Sequence, residues 1–196
     1  MHTTLLAHID QHVSLSDQEK ELVCTAMATK KVRRRQYLLQ EGAVCQHDYF
    51  VLDGCLRQYE VGENEKENIV QFAFENWWMS DWFSMLSGTP SVYNIDALED
   101  STVLVIEKEA LNQLFIAVPA MDIYFRNILL QAYAWLQRRT LYLQKPAEER
   151  YASLVKHYSW FEQRVSQQHI ASFLGITRET LSRLKAQQIK SSRGDQ

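Results

Sequence analysis

The residues best suited to recognition chemistry crowd into one stretch, "QQHIASFLGITRETLSRLKA", 167–186. Ile170, Ala171 and Leu174 recur at helical spacing, as do Leu181 and Leu184, and Gly175 separates the two runs. Glycine takes positive φ without steric cost, so the chain can turn sharply there. Ser166 and Thr177 stand where helix N-caps belong. The spacing predicts a helix-turn-helix. With the apolar positions turned inward, Arg178, Glu179, Ser182, Arg183 and Lys185 face outward. Arginine pairs in bidentate fashion with guanine, glutamate accepts from the cytosine amino group, and lysine neutralises phosphate. From Ser166 onward Arg178, Arg183, Lys185, Lys190 and Arg193 outweigh Glu179 and Asp195, a basic end to a chain of net charge −3. The plainer alternative is an αα-hairpin with a solvated face. The joint placing of Ala171, Gly175, Ile176 and the leucines argues against it.

Other chemistry-bearing residues are sparse. His8 and His12 have the i, i+4 spacing of a metal pair but no third ligand, so a solvated helix face is expected and no metal. Cys24, Cys45 and Cys55 are an odd set without close pairing, which points away from a disulfide framework and toward a reducing cytoplasm. Cys45 and Cys55 read as small buried apolar groups. A metal-dependent enzyme in a β-barrel needs clustered histidines, and His47 is the only one in the central region. No nucleophile–base pair or glycine-rich phosphate loop is visible, so no enzyme and no cofactor are expected. The run Lys30, Lys31, Arg33, Arg34, Arg35 reads as a solvated edge before the first strand, with contact to DNA or an acidic protein as the alternative. No apolar run is long enough for a membrane span, and no signal-peptide pattern opens the chain.

The elements that must carry these residues fall into three regions. To about Ala28 the pattern is helical, with Ser16 and Glu19 spaced as a capping box. From about Tyr37 to Ile106, "YFVLDGCLRQYEV" and "ENIVQFAFE" are typical of short β-branched and aromatic segments bounded by Gly42, Asp53-Gly54, Gly62 and Gly88. Length and turn spacing suit roughly eight antiparallel strands in a jelly roll. The fold class is α+β. After Lys108 the helical period returns, with a short helix and then a long one over 120–144, stopped by Pro146. That long helix carries two apolar stripes: Leu129, Tyr133, Leu136, Thr140, Leu143, and Met121, Phe125, Ile128, Ala132, Trp135. One stripe covers the β-domain; the other is expected to pack on a second copy as a parallel coiled coil, with burial between two domains of one chain as the alternative. Pro146 to Arg150 reads as a hinge leading into a helix, and the tail "SSRGDQ" as disordered.

These residues resemble the Crp/Fnr family of bacterial transcription regulators. "IASFLGITRETLSRLKA" is very similar to that family's helix-turn-helix, and "LLQEGAVCQHDYFVLDGCLRQYEV" fits its β-roll through Gly42 and Gly54. The resemblance implies a roll with flanking helices over 1–117, a dimerisation helix over 118–145 and a DNA-binding domain over 146–196. It implies a homodimer on a two-fold-symmetric operator. Arg178, Glu179 and Arg183 match base-reading positions, and Ser182 a further one; Gln167, Gln168, Thr177, Thr180 and Lys185 match phosphate contacts. The family's wing beside the helix pair looks absent or reduced.

The cyclic-nucleotide cassette of the family carries Gly-Glu and then Arg with a hydroxyl neighbour. Here "SDWFSMLSGTPSVYNIDA" puts Ser80-Asp81 and Ser91-Val92 at those places, and no Arg or Lys lies between Lys66 and Lys108. A buried cyclic phosphate without a cation would cost several kcal/mol, so Asp81, Ser84, Thr89, Ser91, Val92 and Asn94 are expected to form a degenerate pocket. The alternatives are a regulator answering to a cyclic nucleotide or another small ligand, and an interaction module that has lost DNA binding. Expected partners are double-stranded DNA and a second copy, with RNA polymerase and an unknown small-molecule effector as further candidates and no membrane.

Overall fold

The structure, a computed structural model, describes residues 2–158 and 160–194, the side chains of 189–194 excepted. The chain divides into two compact units, Met1–Glu60 with Val70–Ala132, and Val61–Ile69 with Tyr133–Gln196.

The first unit opens with α1 (Thr3–Ile9) and α2 (Asp17–Ala26), the second starting at the expected N-cap Ser16. The Ser16–Glu19 capping box begins α2. Eight strands follow in two four-stranded antiparallel sheets: β1 (Ala28–Val32), β2 (Tyr37–Leu39), β3 (His47–Asp53), β4 (Leu56–Val61), β5 (Glu67–Ala73), β6 (Trp78–Met79), β7 (Asn94–Ala97) and β8 (Ser101–Glu107), with α3 (Trp82–Ser87) between β6 and β7. The sheet orders are β1-β8-β3-β6 and β2-β7-β4-β5. The roll therefore starts at Ala28, earlier than its hydropathy suggests. Lys30 and Lys31 sit in β1, which pairs only with β8 and is exposed over four of its five residues. A charged edge strand discourages pairing with other chains and hides the apolar signal.

Val32, Leu39, Tyr49, Val51, Leu56, Ile95 and Val103 fill the roll. A second core joins Leu5, Ile9 and Val23 to Phe50, Leu104 and Ile106, closed by α4 (Lys108–Ala117) and the start of α5 (Pro119–Leu143) through Leu111, Leu114, Met121, Tyr124 and Phe125. His8 belongs to this core rather than to a solvated face. The Trp78 indole donates to the Tyr124 oxygen at 2.8 Å, and that oxygen also hydrogen-bonds His8 Nδ1 at 2.8 Å. Burial and the neighbouring His12 hold the His8 pKa below its ordinary value. No group of three or more His, Cys, Asp or Glu among the described residues is arranged to hold a metal.

The second unit contains the C-terminal part of α5, then α6 (Ala147–His157), the single turn α7 (Phe161–Arg164), α8 (Gln167–Phe173) and α9 (Arg178–Gly194). Among the described residues no strand lies between α6 and α9. α9 runs through the stretch expected to be disordered as far as Gly194. Asp195 and the side chains of Lys190 and Arg193 lie outside the described residues.

Candidate nucleic-acid interface and sensor site

The helix pair is built by local signals. The Ser166 hydroxyl accepts the His169 amide at 3.2 Å and starts α8. Gly175 ends it at φ 64, with the Ile176 amide on the Ala171 carbonyl and the Gly175 amide on Ser172, both at 2.9 Å. This is a Schellman closure, which needs the left-handed residue glycine supplies. Thr177 then caps α9, accepting the Thr180 amide at 3.2 Å. Ile170, Ala171, Leu174, Leu181 and Leu184 are buried.

That burial leaves Gln167, Gln168, Thr177, Arg178, Glu179, Ser182 and Arg183 exposed along the outside of the pair. Glu179, on the first turn of α9, has its carboxyl held below the ordinary range by its own backbone amide, the Thr177 hydroxyl and Arg178, so it stays an acceptor. Thr180 is half-buried, its hydroxyl 3.2 Å from that of Thr177. Lys185 differs from the others: its ammonium lies 2.9 Å from Glu162, which also accepts the Tyr151 hydroxyl. A phosphate reaching Lys185 has to compete with that pair.

Long-range contacts that hydropathy does not announce anchor the pair. Arg139, on α5, donates to the Phe173 carbonyl at 3.0 Å and stacks 3.9 Å over the Phe173 ring. Burial lowers its pKa to about 10. Arg150 donates to the Leu174 carbonyl. Two guanidinium groups thus satisfy carbonyls left open at the end of α8. The hairpin tip Val61–Ile69, also in this unit, reaches α8 through Ser172.

In the first unit the cassette residues bind one another. Asp81 caps α3, accepting the Ser84 amide at 3.2 Å, and its other oxygen accepts the Ser91 hydroxyl at 2.7 Å. The Ser84 hydroxyl donates to the Thr89 carbonyl and accepts the Cys45 amide. Asn94 accepts the Glu41 amide at 3.1 Å. Asp81, Ser84, Ser91 and Asn94 are buried, whereas Thr89 and Val92 are exposed, so the six expected pocket residues do not face one space. Lys108 reaches the far end of α3 and donates to the Met85 carbonyl. Arg57, the roll's buried cation, is neutralised in bidentate fashion by Asp96 at 2.7 and 2.9 Å. Trp78 and Trp82 pack half-buried against the core, and Trp77 is more exposed.

On α5, Met121 and Phe125 of one stripe are buried and Ile128 is half-buried, whereas Ala132 and Trp135 of the same stripe are exposed. The other stripe is open: Leu129 38%, Tyr133 59%, Leu136 55% and Leu143 39% exposed, with Thr140 exposed beside them.

Two family models match in this order along the chain. The cyclic nucleotide-binding domain covers residues 29–117, and the bacterial regulatory proteins of the crp family cover residues 164–184. Roll, long helix and helix-turn-helix define the class of one-chain regulators with a sensor-type domain and a DNA-reading terminus. The two matches, a cyclic nucleotide-binding domain followed by a crp-family helix-turn-helix, support the resemblance to Crp/Fnr regulators. Its fold is similar to that of FixK2 from Bradyrhizobium japonicum, at 18% identity over 85% of this chain and 86% of that one, TM-score 0.68. It is also similar to the c-di-GMP responsive global regulator CLP of Xanthomonas campestris, at 14% identity over 92% and 93% of the two chains, TM-score 0.68. A CooA mutant from Carboxydothermus hydrogenoformans matches at 18% identity over 95% of this chain and 84% of that one, TM-score 0.67. No curated protein matches significantly. No helix among the described residues is long and apolar enough to cross a membrane.

Proposed function

We propose that this protein is a DNA-binding transcription regulator that acts as a homodimer on a two-fold-symmetric operator. The observation that carries this reading is the outward set Arg178, Glu179, Ser182 and Arg183, held on a helix whose start is fixed by Gly175 and Thr177. Those side chains stand on the first two turns of α9, the part of a recognition helix that enters the major groove. Gln167, Gln168 and Thr177 flank them as phosphate contacts. Regulators of this family bind DNA and act as dimers. The open stripe on α5 supplies the apolar face for a second copy, and two-fold pairing there would place two copies of α9 on two half-sites. Arg139 ties α5 to α8, so a change in how α5 pairs has a physical route to the DNA-reading helix. The reading places the protein with its DNA, in the cytoplasm.

The sensor pocket is degenerate and does not take a cyclic nucleotide. The acid at Asp81 is already used by Ser84 and Ser91, and it adds a charge of the same sign as the phosphate. A helix N-terminus contributes at most ~2 kcal/mol to an anion and does not replace a desolvated ion pair.

Selection of bound duplexes from a random library tests the first part. A palindromic consensus bound with steep salt dependence is expected; recovery of unrelated sequences with no two-fold symmetry would refute it. Calorimetry with cyclic AMP and cyclic GMP tests the second, and saturable heat with either would refute the degenerate pocket.

A further inference from the structure

We propose that the hairpin tip Val61–Ile69 is an autoinhibitory clasp, which covers the DNA-reading edge of the helix pair and must leave α8 before DNA is read. The proposal rests on the DNA-reading role given above. The Ser172 side chain bridges the tip and α8. The Ser172 hydroxyl donates to the Glu67 carbonyl at 2.6 Å and accepts the Ile69 amide at 2.9 Å. Beside it the Glu67 carboxylate lies 3.6 Å from His169 Nε2, one turn earlier on α8.

The tip stands where DNA would lie. A hollow of about 470 Å3 is lined on one side by Glu65, Lys66 and Glu67, and on the other by Gln168, Thr177 and Arg178. The latter three are residues assigned above to phosphate and base contacts. Glu63, Glu65 and Glu67 outweigh Lys66, so the tip is acidic. A phosphate approaching Gln168 and Thr177 would meet the carboxylates of Glu65 and Glu67. Since phosphate contacts dominate DNA affinity, like charge at that edge opposes binding of any sequence.

The clasp is also weak enough to be released. The two hydrogen bonds through the Ser172 hydroxyl contribute only about 0.5–1.5 kcal/mol each in net free energy. If only a minor fraction of molecules is unclasped, apparent affinity for DNA falls by that fraction. The tip closes the β4–β5 hairpin, and its turn is pinned by the Gly62 amide on the Lys66 carbonyl at 3.0 Å. It can therefore move as a preformed unit.

The test measures binding of the full chain to the duplex selected from the random library. Ser172→Ala breaks the bridge without changing charge, and Glu65→Gln removes a carboxylate from the hollow. Each is expected to tighten binding about fivefold. Glu63→Gln removes the same charge outside the hollow and is expected to change affinity less than twofold, whereas Lys66→Gln makes the hollow more acidic and is expected to weaken binding. Equal gains from Glu63→Gln and Glu65→Gln would reduce the effect to net charge and overturn the clasp. Tighter binding by Lys66→Gln would show that the charge of the tip does not oppose DNA and would overturn it as well. Glu65 is exposed, so its variant keeps the test valid if Ser172→Ala folds poorly. Hydrogen exchange gives an independent readout: the Ile69 amide should lose protection when DNA binds, and retained protection overturns the proposal. If neither the wild type nor any variant selects a sequence, the DNA-reading role fails and the clasp fails with it. Wild-type selection with unaltered affinity in Ser172→Ala and Glu65→Gln defeats the clasp alone.

Discussion

Gly175→Ala puts the helix-turn-helix geometry under direct strain. The residue has φ +64, where an L side chain presses on the following carbonyl at a cost of roughly 1–2 kcal/mol. Its new Cβ would also stand 3.2 Å from Arg150 Nη1, closer than ordinary contact. That nitrogen holds the Leu174 carbonyl, so the guanidinium must shift and the hydrogen bond weakens. A charge-assisted bond contributes about 1.5–3 kcal/mol when intact, and partial weakening adds about 1 kcal/mol to the backbone cost. The expected loss is about 2–3 kcal/mol for the helical C-terminal transition, followed in guanidinium chloride by far-ultraviolet circular dichroism. Gly175→Asn separates the contributions. Asparagine tolerates the left-handed region better but carries the same Cβ, so it should lose only the part due to Arg150. DNA affinity should fall in the same order. Wild-type stability in Gly175→Ala would refute the turn as described, and equal losses in both variants would refute the backbone share.

Further outcomes follow from other contacts. Arg183→Ala should cost ~1–3 kcal/mol on the selected duplex and relax one base position, whereas Lys185→Ala should weaken all sequences and lower the salt slope, read by titrations at several salt concentrations. Because Lys185 already pairs with Glu162, Glu162→Gln should strengthen the Lys185 contribution; an unchanged slope would show that Lys185 does not face phosphate. Leu136→Glu on the open stripe of α5 should give monomers in sedimentation, and an undisturbed dimer would move the interface elsewhere. Asp48 is buried and accepts the Tyr49 amide at 2.9 Å; burial pushes its pKa up to about 7 against the pull of Ser80 and that amide. A carboxyl with a raised native pKa lends stability that is fully present below the unfolded value and lost as pH rises through the native one. Relative to Asp48→Asn, the wild type should thus lose about 2–3 kcal/mol between about pH 5 and pH 8 in denaturant titrations, and parallel curves would contradict the shift.

The sequence by itself determined whatever depends on neighbours a few residues apart. The Ser16–Glu19 box, the caps at Ser166 and Thr177, and the positive φ at Gly175 are set by bonds within one turn of the chain. The inward Leu181 and Leu184 follow from helical period, and with them the outward Arg178, Glu179 and Arg183. The departures at Asp81 and Ser91 were legible as residue types. Their mutual hydrogen bond, which spends the acid inside the cassette, was not. Tertiary structure alone decided which stripe of α5 is covered near its start, because Met121 and Phe125 are taken up by a core assembled from α1, α2 and the roll. It alone drew His8 onto Tyr124, 116 positions away, and Ser172 onto Glu67, 105 positions away. β1 escaped notice because an edge strand needs no apolar alternation when its pairing comes from the backbone of β8. Arg139 and Arg150 resemble ordinary helix-surface cations until folding brings the open carbonyls of Phe173 and Leu174 within reach. Periodicity encodes which face of a helix is apolar, but the partner of a polar group far along the chain is fixed only when packing removes water and leaves that group one donor or acceptor to find.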